Sequence, residues 1–386
     1  MNTNIDIKGK AYEELVGANL RGDRGEFFTP RNVMHMTVEM VNPGIHEKVL
    51  DSSCGTGGFL VTAMNHVIDK LKKEFENEFG KEYSEWDSNE IIQLQNKISE
   101  VAGENFFGFD INPDLVKATK MNMVMNNNGS GNILRNNSLL HPHEWDLEFK
   151  TMFADRMKIK KEVLKDENSI GFFDVIVTNP PFGSKIPISD PQILKQYDLG
   201  HIWEKNGTGW KKTNRLQASV PPEQLFIERC MQLLKEGGRM GIVLPDSILG
   251  SPGLGYLRQW LIEHGKLISS VDLHVDTFQP RNGTQTSVLF IQKKTKKELA
   301  EESSSGNMKD YNIFMAMAEK IGHDKRGTPI FKRDEYGNEL LVSEEIIENN
   351  DGIQTKQVVM KKVIDDQTLE IAEEFVRWKK DEGVEW

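Results

Sequence analysis

Apolar residues in this chain follow two alternating rhythms. Short unbroken runs, such as Phe106-Phe107-Gly108-Phe109 and Phe172-Phe173 with Val175-Ile176-Val177, read as strands buried on both faces. Between them apolar positions recur every three or four residues, as in Leu60, Val61, Met64, Val67, Ile68 and Leu71. That spacing reads as helices with one buried stripe. It predicts helices over 9–20 (through Tyr12, Leu15 and Val16), 60–79, 91–101, 114–125, 223–235 and 369–378. A further strand is expected over 240–244, after Gly237-Gly238-Arg239. Strands alternating with helices predict an α/β fold, doubly wound around a mostly parallel sheet.

The polar residues at three of the strand ends carry the candidate chemistry, because open α/β sheets bind ligands at the carboxyl ends of their strands. The strand near Val49-Leu50 runs into Asp51-Ser52-Ser53-Cys54-Gly55-Thr56-Gly57-Gly58, a glycine loop that leads into a helix. Its spacing matches neither G-x-G-x-x-G nor a P-loop. An acid at its head suits a cationic or amino-bearing ligand better than a phosphate. The next strand ends in Asp110-Ile111-Asn112-Pro113, where Asp110 either accepts both hydroxyls of a ribose or belongs to the helix entry. The third ends in Asn179-Pro180-Pro181-Phe182. Two prolines stiffen this loop, so the Asn179 carboxamide oxygen and the Pro180 carbonyl are two acceptors for one planar amino group, with Phe182 as a stacking face. The alternative is a strand closing in a proline-rich turn.

In their order along the chain these pieces resemble the amino-group methyltransferases that use S-adenosyl-L-methionine, and specifically the methylation subunit of type I restriction-modification systems. The resemblance includes Gly25-Glu26-Phe27-Phe28-Thr29-Pro30-Arg31 upstream and Gly283-Thr284-Gln285-Thr286-Ser287-Val288-Leu289-Phe290-Ile291 as a closing strand, and covers roughly residues 8–331. The order, with Phe-Thr-Pro first, the cofactor loop next and the catalytic loop last, is similar to the gamma class of N6-adenine DNA methyltransferases. The resemblance implies a seven-stranded sheet. It implies that Glu26, Phe27, Phe28, Thr29, Pro30 and Arg31 close over the methionine end of the cofactor, that Asp51 faces its amino group, and that Ser53, Gly55, Thr56 and Gly57 line it. Asp110 would bind the ribose and Ile111 lie against the adenine. Asn179 and Pro180 would accept from the target amino group, with Pro181 stiffening the loop and Phe182 stacking on a base turned out of the duplex.

Two positions depart from the family pattern. Asp51-Ser52-Ser53 stands where Asp-Pro-Ala is common, keeping the acid and losing the proline's stiffness. Asn137 stands where an acid usually meets the cofactor's adenine, and its carbonyl can still accept; otherwise it is a turn residue. Family methylation subunits usually carry a helical domain before the Phe-Thr-Pro piece, so the expectation is a shortened form or a lineage lacking it.

Composition changes the picture in three ways. The two cysteines, Cys54 and Cys230, argue for a reducing cytoplasm, and no apolar run reaches membrane length. No His or Cys spacing reads as a metal site, and His141-Pro142-His143 is expected to be a solvated loop. A net charge of −11 gives no overall electrostatic footprint for DNA. Local cations stand in Lys185, Lys195, Lys205, Lys211, Lys212 and Arg215, interleaved with Tyr197, Trp203 and Trp210. This segment is expected to be a mobile loop, 183–220, that either grips the substrate or is a solvated insertion. The resemblance implies double-stranded DNA with a flipped adenine as substrate. It also implies a separate specificity subunit, a second methylation subunit and a restriction nuclease subunit as partners.

The expected organisation is a helical lead-in over 1–24, a catalytic domain over 25–298 with an insertion at 70–104, and a charged C-terminal extension over 299–386. That extension holds a flexible connection at 301–306, strand-like apolar content over 308–331 that includes a family-like hairpin at 322–327, and a terminal helix. The competing functions are an amino-group methyltransferase for protein glutamine or RNA, a cofactor-binding assembly subunit, and, remotely, an NAD enzyme.

Overall fold

The computed structural model describes residues 29–126, 129–166, 170–183, 186–280, 282–350 and 353–386. The helical lead-in, Glu26, Phe27, Phe28 and Lys185 lie outside them. Helix α1 (Arg31–Val41) leads into β1 (Val49–Asp51), α2 (Gly58–Phe79), α3 (Ser88–Asn105) and β2 (Phe106–Asp110). Next come α4 (Pro113–Met125), β3 (Ile133–Arg135), α5 (Leu147–Met157) and β4 (Phe173–Thr178). The strands β5 (His201–Asn206) and β6 (Gly209–Leu216) precede α6 (Pro222–Leu233), β7 (Leu234–Pro245), α7 (Gly255–His264), β8 (Gly265–Leu273) and β9 (Thr286–Lys293). Helix α8 (Lys296–Ser305), β10 (Phe314–Ala318), β11 (Leu341–Asn350), β12 (Ile353–Lys362) and α9 (Thr368–Asp381) complete the order.

The main sheet runs β10-β8-β9-β7-β4-β1-β2-β3. Its neighbours are parallel except at β9, which is antiparallel to both β7 and β8. Successive residues of each strand feed opposite faces. Val175 and Val177 join Val243 and Phe290 under α1, α2 and α3, while Ile176 joins Leu50, Phe107 and Ile242 against α5, α6 and α7. Burial on both faces explains the unbroken apolar runs of the central strands.

Three expectations need correction. The sheet has eight strands rather than seven, because β10, from the segment expected to be an appendage, pairs in parallel with β8. The described part of the expected loop, residues 186–220, is not irregular throughout: Pro191–Leu194 is a helical turn, and β5 and β6 form an antiparallel hairpin. Trp203 stacks on Tyr256 at 6.0 Å, and Gln259 of α7 accepts from the Trp210 N–H at 2.7 Å, so the hairpin is anchored on α7. The expected flexible connection at 301–306 is instead the end of α8, which starts with a Thr295/Glu298 capping box and closes on Gly306 at φ 69°.

The C-terminal helix was expected and is present. It closes the first core cluster: Phe375 is fully buried, with its ring 5.4 Å from Phe314 and 6.1 Å from Phe290. Phe375→Ala is therefore expected to cost about 3–5 kcal/mol of stability, read as a lower urea midpoint. Arg239, in the Gly-Gly-Arg piece, also has a structural task. Its buried guanidinium makes two 2.7 Å bonds to Glu47 and donates to the carbonyls of Val41 and Asn42, tying the end of α1 to β7.

Candidate active site at three strand ends

Strands β4, β1 and β2 are adjacent and parallel, so their carboxyl ends bring Asn179, Asp51 and Asp110 to one edge of the sheet. Asp51 is 2% exposed. Its Oδ1 accepts from Thr178 Oγ1 at 2.7 Å and from the Ser53 N–H at 3.1 Å. Burial raises its carboxyl to about 7, against the pull of those two bonds. A buried acid so close to neutrality is suited to a cationic ligand, which would stabilise its charged form.

The glycine loop is shaped by side chains from two other elements. Gly55 and Gly57 take φ of 53° and 86°. A Cβ on Gly57 would stand 2.7 Å from the Thr119 methyl, so only glycine fits there. Thr119 Oγ1 donates to the Gly55 carbonyl at 2.6 Å and Asn122 Nδ2 to the Thr56 carbonyl at 2.9 Å. Asp110 completes the cradle, with one oxygen 3.0 Å from the Gly55 N–H and the other 2.9 Å from the Asn112 N–H. Ile111, beside it, is 61% exposed, an apolar surface at the strand end suited to an aromatic ring.

The cofactor-type loop and the Asn-Pro-Pro-Phe loop are bonded to each other. Ser53 Oγ lies 2.8 Å from Thr178 Oγ1 and 3.1 Å from the Asn179 carbonyl oxygen, and Ser52 Oγ donates to Thr178 Oγ1 at 3.3 Å. The serines that replace Pro-Ala thus fasten the loop by hydrogen bonds instead of ring stiffness. Asn179 Nδ2 donates to the buried Thr29 Oγ1 at 3.0 Å, which joins the Thr-Pro-Arg segment to the same cluster. With its nitrogen directed to Thr29, the carboxamide keeps its oxygen as its acceptor atom. Pro30 precedes α1 and Arg31 opens it. Phe182 is 6% exposed, so the surrounding chain already covers most of it.

Asn137 lies in a turn, where its Oδ1 accepts from the Leu139 N–H at 3.1 Å. The neighbouring Ser138 donates to the Ser52 carbonyl at 2.6 Å, so this turn too joins the cradle. His141, expected in a solvated loop, is buried. Its Nδ1 is 2.7 Å from that of His143, and burial lowers it to about 3, leaving a neutral acceptor.

Thr178, Thr119, Asn122 and Ser138 were not expected at the site. Thr119 and Asn122 had a legible signal, as polar residues on the apolar face of α4 among Leu115, Val116 and Met123. Thr178 and Ser138 look like ordinary residues until their distant partners are known.

A family model described as N-6 DNA Methylase matches residues 3–374. The chain belongs to the N-6 DNA methylase family. It is 27% identical over 287 residues to the type I restriction enzyme EcoEI methylase subunit of Escherichia coli, covering 74% of this chain and 46% of that one. It is 29% identical over 294 residues to the type II restriction enzyme and methyltransferase RM.BcgI of Heyndrickxia coagulans, covering 75% and 35%. This member of the N-6 DNA methylase family therefore spans less than half the length of these relatives.

Two solved structures share the fold. One is the DNA-bound ATP-dependent type ISP restriction-modification enzyme LlaBIII, with TM-score 0.53, 13% identity and coverage of 81% of this chain and 21% of that one. The other is a type I restriction-modification methyltransferase subunit from Streptococcus thermophilus, with TM-score 0.50, 18% identity and coverage of 77% and 51%. Among the described residues, no helix is long and apolar enough to cross a membrane.

Proposed function

We propose that this chain transfers the methyl group of S-adenosyl-L-methionine to the N6 amino group of adenine in double-stranded DNA, as the modification subunit of a type I restriction-modification complex. The observation that carries the reading is the hydrogen-bonded junction of Asp51, Ser53, Thr178 and Asn179, which supports neighbouring sites for a methyl donor and a methyl acceptor. Family membership and the type I relatives support DNA adenine as the substrate over protein glutamine or RNA.

The residues present fit the cofactor: a buried acid for its amino group, a glycine cradle, an acid and an exposed apolar side chain for a nucleoside. When bound, it supplies a methyl group already activated by a positively charged sulfur. Asp51 would pair with the amino group, Asp110 with the ribose hydroxyls, Ile111 with the adenine face and Asn137 with the adenine amino group through the second lone pair of its oxygen. Thr29, Pro30 and Arg31, continuing from Glu26, Phe27 and Phe28, would cover the methionine end. Ser53, Gly55, Thr56 and Gly57 would line it.

On the acceptor side, Asn179 Oδ1 and the Pro180 carbonyl would hold the two protons of the adenine amino group. This localises the nitrogen lone pair and directs it at the methyl carbon. Pro181 limits the loop's freedom, and Phe182 would stack on the flipped base. The proton released after transfer passes to water.

A net charge of −11 gives the chain no overall attraction for phosphates, which supports a specificity subunit as the main DNA reader, with a second methylation subunit and a restriction nuclease subunit in the same assembly. Both cysteines are free and buried, which supports the cytoplasm as the compartment.

Asp51 gives this reading a pH signature. In the folded chain its carboxyl is raised from 3.8 to about 7 by burial, so the folded state holds a proton that the unfolded state has lost. Its contribution to stability therefore falls as pH rises through about 4 to 7. A cationic ligand reverses the balance by favouring the carboxylate. Cofactor binding near pH 6.5 is expected to release a proton, and the Kd to rise by up to about tenfold per pH unit below 7. Calorimetry in buffers of different ionisation heats measures both, and binding without proton release would remove Asp51 from the proposed role. The reading as a whole is tested by adding DNA free of adenine methylation to the cofactor complex, with and without cell extract supplying partners. Methyl groups on protein or RNA instead of DNA would contradict it.

A further inference from the structure

The Asn-Pro-Pro-Phe loop leaves the site through Gly183, which takes φ of 126°. A Cβ built there would meet nothing within 4 Å, so that side of the residue is open. The Gly183 N–H donates to Glu223 Oε2 at 3.2 Å, and the Gly183 carbonyl accepts from the Ile186 N–H at 3.4 Å. Glu223 stands in the first turn of α6 and is 5% exposed, so its carboxylate is held where the positive end of the helix offsets part of the cost of burying it. Burial raises its carboxyl above the usual range.

The surroundings make α6 a fixed reference for the loop. Just before it, Val220 forms a bridge with Ile188, with N–H to carbonyl distances of 2.8 and 2.9 Å in the two directions. Just after Glu223, the buried Gln224 accepts from Tyr256 at 3.0 Å, and Tyr256 accepts from Gln217, at the base of the β5–β6 hairpin, at 3.3 Å. One helical turn thus holds both the exit of the catalytic loop and the root of the hairpin beside it.

We propose that Glu223 is a positioning residue for methyl transfer, whose buried carboxylate fixes the exit of the Asn-Pro-Pro-Phe loop through the Gly183 N–H and so orients Asn179 and Phe182. This rests on the methyl-transfer reading above, but the contact itself can be tested without it. Hydrogen–deuterium exchange of the full chain, followed on a peptide spanning residues 179–188, is expected to be faster at Gly183 in Glu223→Ala by about tenfold or more. Glu223→Gln, which keeps an acceptor oxygen, should stay close to wild type.

Under single-turnover conditions with partner extract, Glu223→Ala should slow transfer by about 10–100-fold while the cofactor Kd stays within about twofold. Glu223→Gln should recover most of that rate. Unchanged exchange at Gly183 in Glu223→Ala would overturn the proposal, as would a loss expressed in cofactor Kd rather than in rate. If the wild-type chain transferred no methyl group, the methyl-transfer reading would fail, while exchange at Gly183 would still decide whether Glu223 holds the loop.

Discussion

Asn179→Ala is expected to reduce methyl transfer to adenine by at least about 10²–10³-fold, while the cofactor Kd changes by less than about threefold. The asymmetry follows from the geometry. Asn179 meets the glycine loop through its main-chain carbonyl, which Ser53 approaches at 3.1 Å and which alanine retains. What alanine removes is the carboxamide: the nitrogen that donates to Thr29 and the oxygen proposed to hold the target amino group. Fluorescence or calorimetric titration with cofactor, beside a single-turnover assay, separates the two effects. Retained transfer in this variant would mean that the amino group is held elsewhere.

Asp110→Ala is expected to act the other way round, raising the cofactor Kd by about 10–100-fold before it affects the rate at saturation. The carboxylate has two tasks at once. It is the proposed acceptor for the ribose hydroxyls, and it accepts from the N–H groups of Gly55 and Asn112, which sets the shape of the cradle. Asp110→Asn keeps part of the second task and should fall between wild type and alanine. A Kd unchanged in the alanine variant would take Asp110 out of the cofactor site.

The three strand ends were legible because their strands are buried on both faces, so each announces itself as an apolar run ending abruptly in polar residues. The same logic explains what was not legible. The β5–β6 hairpin mixes Trp203 and Trp210 with Lys205, Lys211 and Lys212, and its stability depends on Tyr256 and Gln259, far along the chain. Strand β10 lies within the strand-like stretch 308–331, but it is a short edge strand whose Met315 and Met317 face solvent, and its place beside β8 had no local pattern.

Polar partners were hidden by distance. Thr178 is 127 residues from Asp51, and Glu223 is 40 residues from Gly183, so neither bond has a local pattern. The substitution of two serines for the family's proline and alanine was visible, but its result was not. Hydroxyls at 52 and 53 tie the glycine loop directly to the end of β4 and the Asn-Pro-Pro-Phe loop.

The most direct test of the central claim is transfer of a labelled methyl group from S-adenosyl-L-methionine to DNA free of adenine methylation, with partner extract, followed by mass spectrometry of the digested nucleosides and with Asn179→Ala as the parallel control. The account predicts label in N6-methyladenine with the wild-type chain and almost none with the variant. Label in another base, in RNA or in protein, or equal label with both chains, would contradict it.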